Sequence, residues 1–213
     1  MATTTFYPSL DGRVFRTGAA QTWATIVAGA GTGNDYTTTN SNAALTQADT
    51  TSNTFKFLSR GIFLFDTSSI PDTDEISSAT LSFYIGSKST AVPVSVNVVS
   101  SSPASDSALA NGDYSNLGST KFSSAVTVSG ITTGAYIDFS LNASGVANID
   151  KTGISKFGLR LEEDIDGSAP TWSSNDLGGV NVQYSETTGI SQDPKLVVVH
   201  APAITFIPKV MMF

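Results

Sequence analysis

Residues 60–85, RGIFLFDTSSIPDTDEISSATLSFYI, carry the pattern that recurs along the chain. Ile62, Phe63, Leu64 and Phe65 form a nearly continuous apolar run, the pattern of a central strand covered on both faces. Leu81, Phe83 and Ile85 then alternate with Ser82 and Tyr84, the pattern of a strand with one wetter face. The link between them, with Pro71 and several aspartates, is made of turn and cap formers. The same period of two predicts strands at Gly12–Arg16, Phe55–Phe65, Ala79–Ile85, Val92–Val99, Tyr136–Phe139, Lys156–Leu161, Gly179–Tyr184 and Lys195–His200. About eight strands in 213 residues imply one all-β domain of two packed sheets.

Two segments depart from that period. In LNASGVANIDKTG, Leu141, Val146 and Ile149 have near-helical spacing, Asn142 or Ser144 offers an N-cap and Gly153 a stop, so one short helix is expected there. The cap is also the better reading of Asn142 in its Asn-Ala-Ser triplet, which matches a glycosylation sequon. SSSPASDSALANGDYSNLGSTKF is polar and rich in small residues, and reads as a long surface excursion with one helical turn near Ser107–Ala110.

Composition narrows the function classes. Only 14% of residues are charged, and the formal net charge of −7 repels phosphate backbones, so nucleic acid is not an expected partner. Without cysteine there are no disulfides, thiolate metal sites or cysteine nucleophiles. MATTTFYPSLDGRVF shows neither a basic n-region nor an apolar h-region, and no stretch reaches the roughly 18 apolar residues of a membrane span. A soluble chain without a secretory leader is the expectation.

Candidate chemistry is sparse. A Ser-His-Asp arrangement needs a histidine, and the single one, His200, reads as a strand-end residue. Glu162, Glu163, Asp164 and Asp166 cluster in LEEDIDG and read as a solvated loop rather than as a pair of glycosidase carboxylates. Asp11, Asp66, Asp72 and Asp74 are the oxygen ligands available to a structural calcium ion, without EF-hand spacing; no other cofactor is expected. AGAGTGN has no P-loop lysine and no following helix, so it reads as a plain loop.

RGIFLFDTSSIPDTDEISSATLSFYI, IDFSLNASGVANIDKTGISKFGLRL and DPKLVVVH, in that order, resemble the DNRLRE family of β-sandwich domains. In that family an R-G-x-x-x-F-D-x-S-x-I-P segment precedes a T-L-x-x-Y strand, a short amphipathic helix leads to a G-L-x-L strand, and P-x-L-x-V closes the sheet. The resemblance implies a jelly-roll-like sandwich similar to carbohydrate-binding modules, found in secreted polysaccharide-processing proteins and in free-standing structural proteins of bacteriophages. Sugar binding needs aromatic faces, for which Trp23 and Trp172 are the candidates.

The sandwich is expected to span residues 1–201. Beyond it, PAITFIPKVMMF holds seven large apolar residues in twelve: Ile204, Phe206, Ile207, Val210, Met211, Met212 and Phe213. An exposed segment of this kind is an aggregation liability, so residues 202–213 read as an anchoring element that docks on other virion proteins or on copies of the chain, the alternative being one more strand added to the chain's own sheet. The leading expectation is a non-enzymatic virion structural protein of a bacteriophage, a capsid decoration or a head- or tail-associated fibre subunit. The alternative is an extracellular polysaccharide-binding module of a secreted enzyme or adhesin.

Overall fold

The computed structural model describes residues 1–186 and 188–203. The strands are β1 (Ala2–Phe6), β2 (Leu10–Gln21), β3 (Gly33–Asp35), β4 (Asn40–Ala48), β5 (Phe55–Asp66), β6 (Asp74–Thr90), β7 (Ser95–Ser100), β8 (Val126–Thr127), β9 (Ala135–Ser140), β10 (Ile154–Leu161), β11 (Leu177–Gln183) and β12 (Lys195–Pro202). The helices are α1 (Trp23–Val27), α2 (Ala143–Ala147) and α3 (Glu162–Ile165), with 3-10 turns at Asn111–Ser115 and Val128–Gly130. The fold is an all-β, sandwich-like curled sheet in which every pairing is antiparallel.

All eight expected strands are present, within twelve among the described residues. The additional ones are β1, β3, β4 and β8. The expected helix is α2, capped by the Asn142 side chain accepting from the Gly145 N–H. Two more short α-helices join it rather than one helix standing alone.

Two long strands organise the sheet. β2 runs along Phe55–Leu64 of β5, so β4 and β10, which pair with opposite halves of β5, must lie end to end on its other flank. β6, 17 residues long, does the same: β9 occupies one flank at Thr80–Ile85, and β12 and β11 succeed one another along the other. β11 reaches Ile85 and β12 starts opposite Ser82, so the loop between them emerges midway along β6. Gly179 lies at the crossing of β11 and β4 with φ +143°, and a Cβ there would meet the Ala44 carbonyl oxygen, so only glycine fits.

The apolar rows of the two layers face each other. Phe63 packs on Phe83 at 4.5 Å between ring centroids, and Phe83 on Phe139 at 5.9 Å. Fully burying side chains of this kind stabilises by roughly 1.5–3 kcal/mol each, so the facing phenylalanines of β5, β6 and β9 are a main source of the core's stability.

Candidate binding face

The outward side of β1, β12, β6 and β9 carries a second aromatic group. Leu81, Phe83 and Ile85 of β6 are buried in the core, and Ser78, Thr80, Ser82 and Tyr84 alternate with them on its opposite row, where Ser82 is itself covered. The register aligns Ser82 with Lys195 on one side and with Asp138 on the other, and aligns Tyr84 with Tyr136. Tyr7, directly after β1, follows the pair Phe6–Leu196 and continues that row beyond Lys195.

Tyr136 is fixed from three sides. Its hydroxyl donates to the carbonyls of Asp193 (2.8 Å) and Ser191 (3.2 Å), Tyr84 meets it edge-on at 5.4 Å, and the Lys195 ammonium lies 4.0 Å from its ring centroid. Burial, followed by the nearby Asp193, Tyr7 and Tyr84, pushes its hydroxyl pKa up to about 12. It is therefore a neutral, hydrogen-bonded ring at ordinary pH.

The same β11–β12 loop covers a buried acidic end. Asp11 of β2 has no exposed surface and accepts from the Ser185 N–H (3.0 Å) and hydroxyl (2.8 Å). Desolvation raises its pKa to about 7; the Ser185 hydrogen bonds oppose the rise, and Glu186 and Asp193 add to it. Tyr184 is fully buried with its hydroxyl unpartnered, Asp193 Oδ1 and Arg13 Nε are likewise buried without partners, and Arg13 reaches Asp35 at 3.8 Å. Gly12 lets β2 close on β3 here, since a Cβ would lie 2.5 Å from the Asp35 carbonyl.

The second buried charge group corrects the reading of LEEDIDG as a solvated loop. Asp164 lies in α3 at 1% exposure, and its carboxylate accepts from Arg60 Nε (2.8 Å), the second terminal nitrogen of Arg60 (2.6 Å) and Arg160 Nε (2.7 Å). Arg60 also donates to the carbonyls of Tyr114 and Val27 and lies 3.9 Å over the Tyr114 ring, while Arg160 donates to Gly118. Burial pushes the Asp164 carboxyl up, but the hydrogen bonds and charges of the two guanidiniums outweigh it and hold its pKa below the usual value. One carboxylate thus ties α1, β5, the long excursion, β10 and α3 together.

The other candidates have distinct settings. Trp23 is a core residue, edge-on to Phe55 at 4.8 Å and donating to the Glu163 carbonyl at 3.3 Å. Trp172 is partly buried against the core, with its indole N–H buried and unpartnered. Asp66 is exposed and accepts from Ser68, Asp72 is exposed, and Asp74 is buried against His200. These aspartates have separate partners from Asp11, and among the described residues no group of three His, Asp or Glu is placed to hold a metal ion. Ile204, Phe206, Ile207, Val210, Met211, Met212 and Phe213 lie outside the described residues.

His200 is more than a strand end. It lies in the inward row with Leu196 and Val198, its Nδ1 2.7 Å from Asp74 Oδ2 and its Nε2 3.0 Å from the Thr4 hydroxyl. The contact spans β1, β12 and β6 in the order hydroxyl, imidazole, carboxylate. An apolar pocket of about 190 Å³, lined by Thr90, Pro93, Val94, Thr127, Val128 and Ser129, has no charged lining residue.

No family model matches the chain, and no curated protein matches it. No helix among the described residues is long and apolar enough to cross a membrane. The tyrosine face is the grouping that sequence reasoning missed: Tyr84 alternates correctly as a wet-face residue, and only the pairing of β9 with β6 brings Tyr136 against it.

Proposed function

We propose that the chain is a non-enzymatic structural protein of a bacteriophage particle, a capsid decoration or a head- or tail-associated fibre subunit. Its sandwich faces outward and the segment after β12 holds it in place. The observation that carries this reading is the way the chain leaves the sheet. β12 lies between β1 and β6, ends on the pair Pro202–Asp74, and is followed by one more hydrogen bond, from the Ala203 N–H to the Thr73 carbonyl at 3.2 Å. The next residue, Ile204, begins the apolar stretch. Burying its seven large side chains on a partner could contribute roughly 10 kcal/mol gross, before the ordering cost is subtracted.

The particle setting draws support from the resemblance of the strand motifs to free-standing phage structural proteins. Thr4, His200 and Asp74 are taken as a tie between three strands rather than as nucleophile, base and orienting acid, because His200 points into the sandwich with Leu196 and Val198.

The test is truncation after Ala203, which keeps all of β12. Sedimentation, or binding to particles depleted of the protein, should show loss of assembly while the thermal unfolding transition is unchanged. A truncated chain that still assembles, or one that no longer folds, would refute the anchoring role.

A further inference from the structure

We propose that the apolar pocket beside the Thr90 end of β6 receives the C-terminal segment of a second copy of the chain, so that copies join head to tail. This rests on the anchoring role of the segment and names the partner and the surface that meet it.

Reach decides whose segment it is. Ala203 leaves the sheet beside Thr73, just before β6, whereas the pocket opens beside Thr90, at the end of the same strand. At about 3.3 Å per residue, the 17 residues of β6 carry the chain about 50 Å. Residues 204–213, fully extended, span at most about 36 Å. Even a right-angle bend midway along β6 would leave its ends about that far apart, with no residue to spare for entering the pocket. The strand order agrees: the segment follows β12 beside the edge strand β1, and the pocket is built on β8 and the turn after it, at the other end of the order. A chain's own segment falls short of its own pocket, so the occupant comes from a neighbour.

The pocket suits one large apolar side chain. Val94 and Val128 are buried at its base, and Thr90, Pro93, Thr127 and Ser129 are exposed around them. Its volume is about 190 Å³, and a cavity of about 150 Å³ already admits a benzene ring. Phe206 and Phe213 are the rings the segment offers. β8 is a two-residue strand that pairs with β7 alone among the described residues, so backbone groups stay free beside the pocket. An extended segment, which Pro202 and Pro208 keep from forming a helix, can lie along that edge.

Charge favours the same pairing. Residues 204–213 carry Lys209 and no acidic residue, while the whole chain has a formal net charge of −7, so the segment is drawn to a second copy. Glu163 stands close to the pocket: its carboxylate accepts from the N–H of Ser95, the residue after Val94, at 3.2 Å, and it is in no ion pair among the described residues. Because segment and pocket are different patches of one molecule, the contact is heterologous, and copies continue into a ring or a filament instead of stopping at a dimer.

The experiment is sedimentation velocity of the full chain over a concentration series, beside Ser129→Trp and Thr90→Trp, which fill the pocket from exposed positions. The unmodified chain should form species larger than a dimer as concentration rises. Each tryptophan should weaken that association at least tenfold and leave the thermal unfolding transition unchanged; if one variant does not fold, the other carries the test. Mixing Ser129→Trp with the chain truncated after Ala203 should give a discrete one-to-one pair, since one supplies the segment and the other the pocket. A full chain that stays monomeric, undiminished association in the folded tryptophan variants, or a mixture that forms no pair overturns the proposal. Should the full chain be monomeric alone and still bind depleted particles through its segment, this proposal fails and the anchoring role stands; a truncated chain that still assembles refutes both.

Discussion

Asp164 and Asp11 are both withdrawn from water, at 1% and 0% exposure, and burial pushes both carboxyls up, yet their net shifts have opposite signs. Asp164 meets two guanidiniums that donate three hydrogen bonds to its carboxylate, and it stays charged. Asp11 meets one serine and the acidic side chains Glu186 and Asp193, and its proton is held up to about pH 7. The difference lies in the partners rather than in depth: a buried carboxylate is cheap where cations are delivered to it and costly where only hydroxyls and other acids are near. The unpartnered Tyr184 hydroxyl and Asp193 oxygen lie at the acidic end, whereas no atom of the Arg60–Asp164–Arg160 group is left unpartnered.

The contrast is open to attack in descending order of effect. Asp164→Ala strands two guanidiniums in the interior, and should cost about 3–5 kcal/mol in chemical denaturation; a loss under about 1 kcal/mol would mean that water already reaches the group. Asp11→Asn keeps an acceptor for Ser185 and removes a charge that burial opposes. It should therefore gain about 1–3 kcal/mol at pH 8, measured the same way. Tyr184→Phe deletes a buried hydroxyl that has no partner, and should be neutral or stabilising by up to about 1 kcal/mol. A clear loss there would reveal a partner for the hydroxyl.

The sequence announces the parts of this fold that repay burial with large side chains. β5 and β12 hold near-continuous apolar runs, and β6 alternates Leu81, Phe83 and Ile85 with Ser82 and Tyr84, patterns visible without a structure. β4, NSNAALTQA, is hidden because its buried alanines Ala43, Ala44 and Ala48 are too small to stand out, although all three are fully buried. β1, ATTTF, is an edge strand of threonines whose pairing is supplied by β12. In α1, β-branched residues mask a helix whose only local signal is Thr22 accepting from the Thr25 N–H. Asp164 is indistinguishable from its acidic neighbours until Arg60, 104 residues away, is folded against it. The tyrosine face was equally beyond reach, since Tyr7, Tyr84 and Tyr136 come from three separate strand regions.

The account rests on the opposite signs of the two buried carboxylates, and stability measured against pH tests it most directly. Asp164, with a depressed folded-state pKa, contributes stability that is present above the unfolded value near 3.8 and is lost only in stronger acid. Asp11, with a raised one, contributes stability that is full below 3.8 and is lost as pH climbs toward about 7. Glu163, Glu186 and Asp193 are raised as well and act in the same sense as Asp11. Wild-type unfolding free energy should therefore fall from about pH 4 to about pH 7, and Asp11→Asn should flatten most of that decline. A wild-type stability that rises across this interval, or an Asn variant with the wild-type slope, would contradict the account.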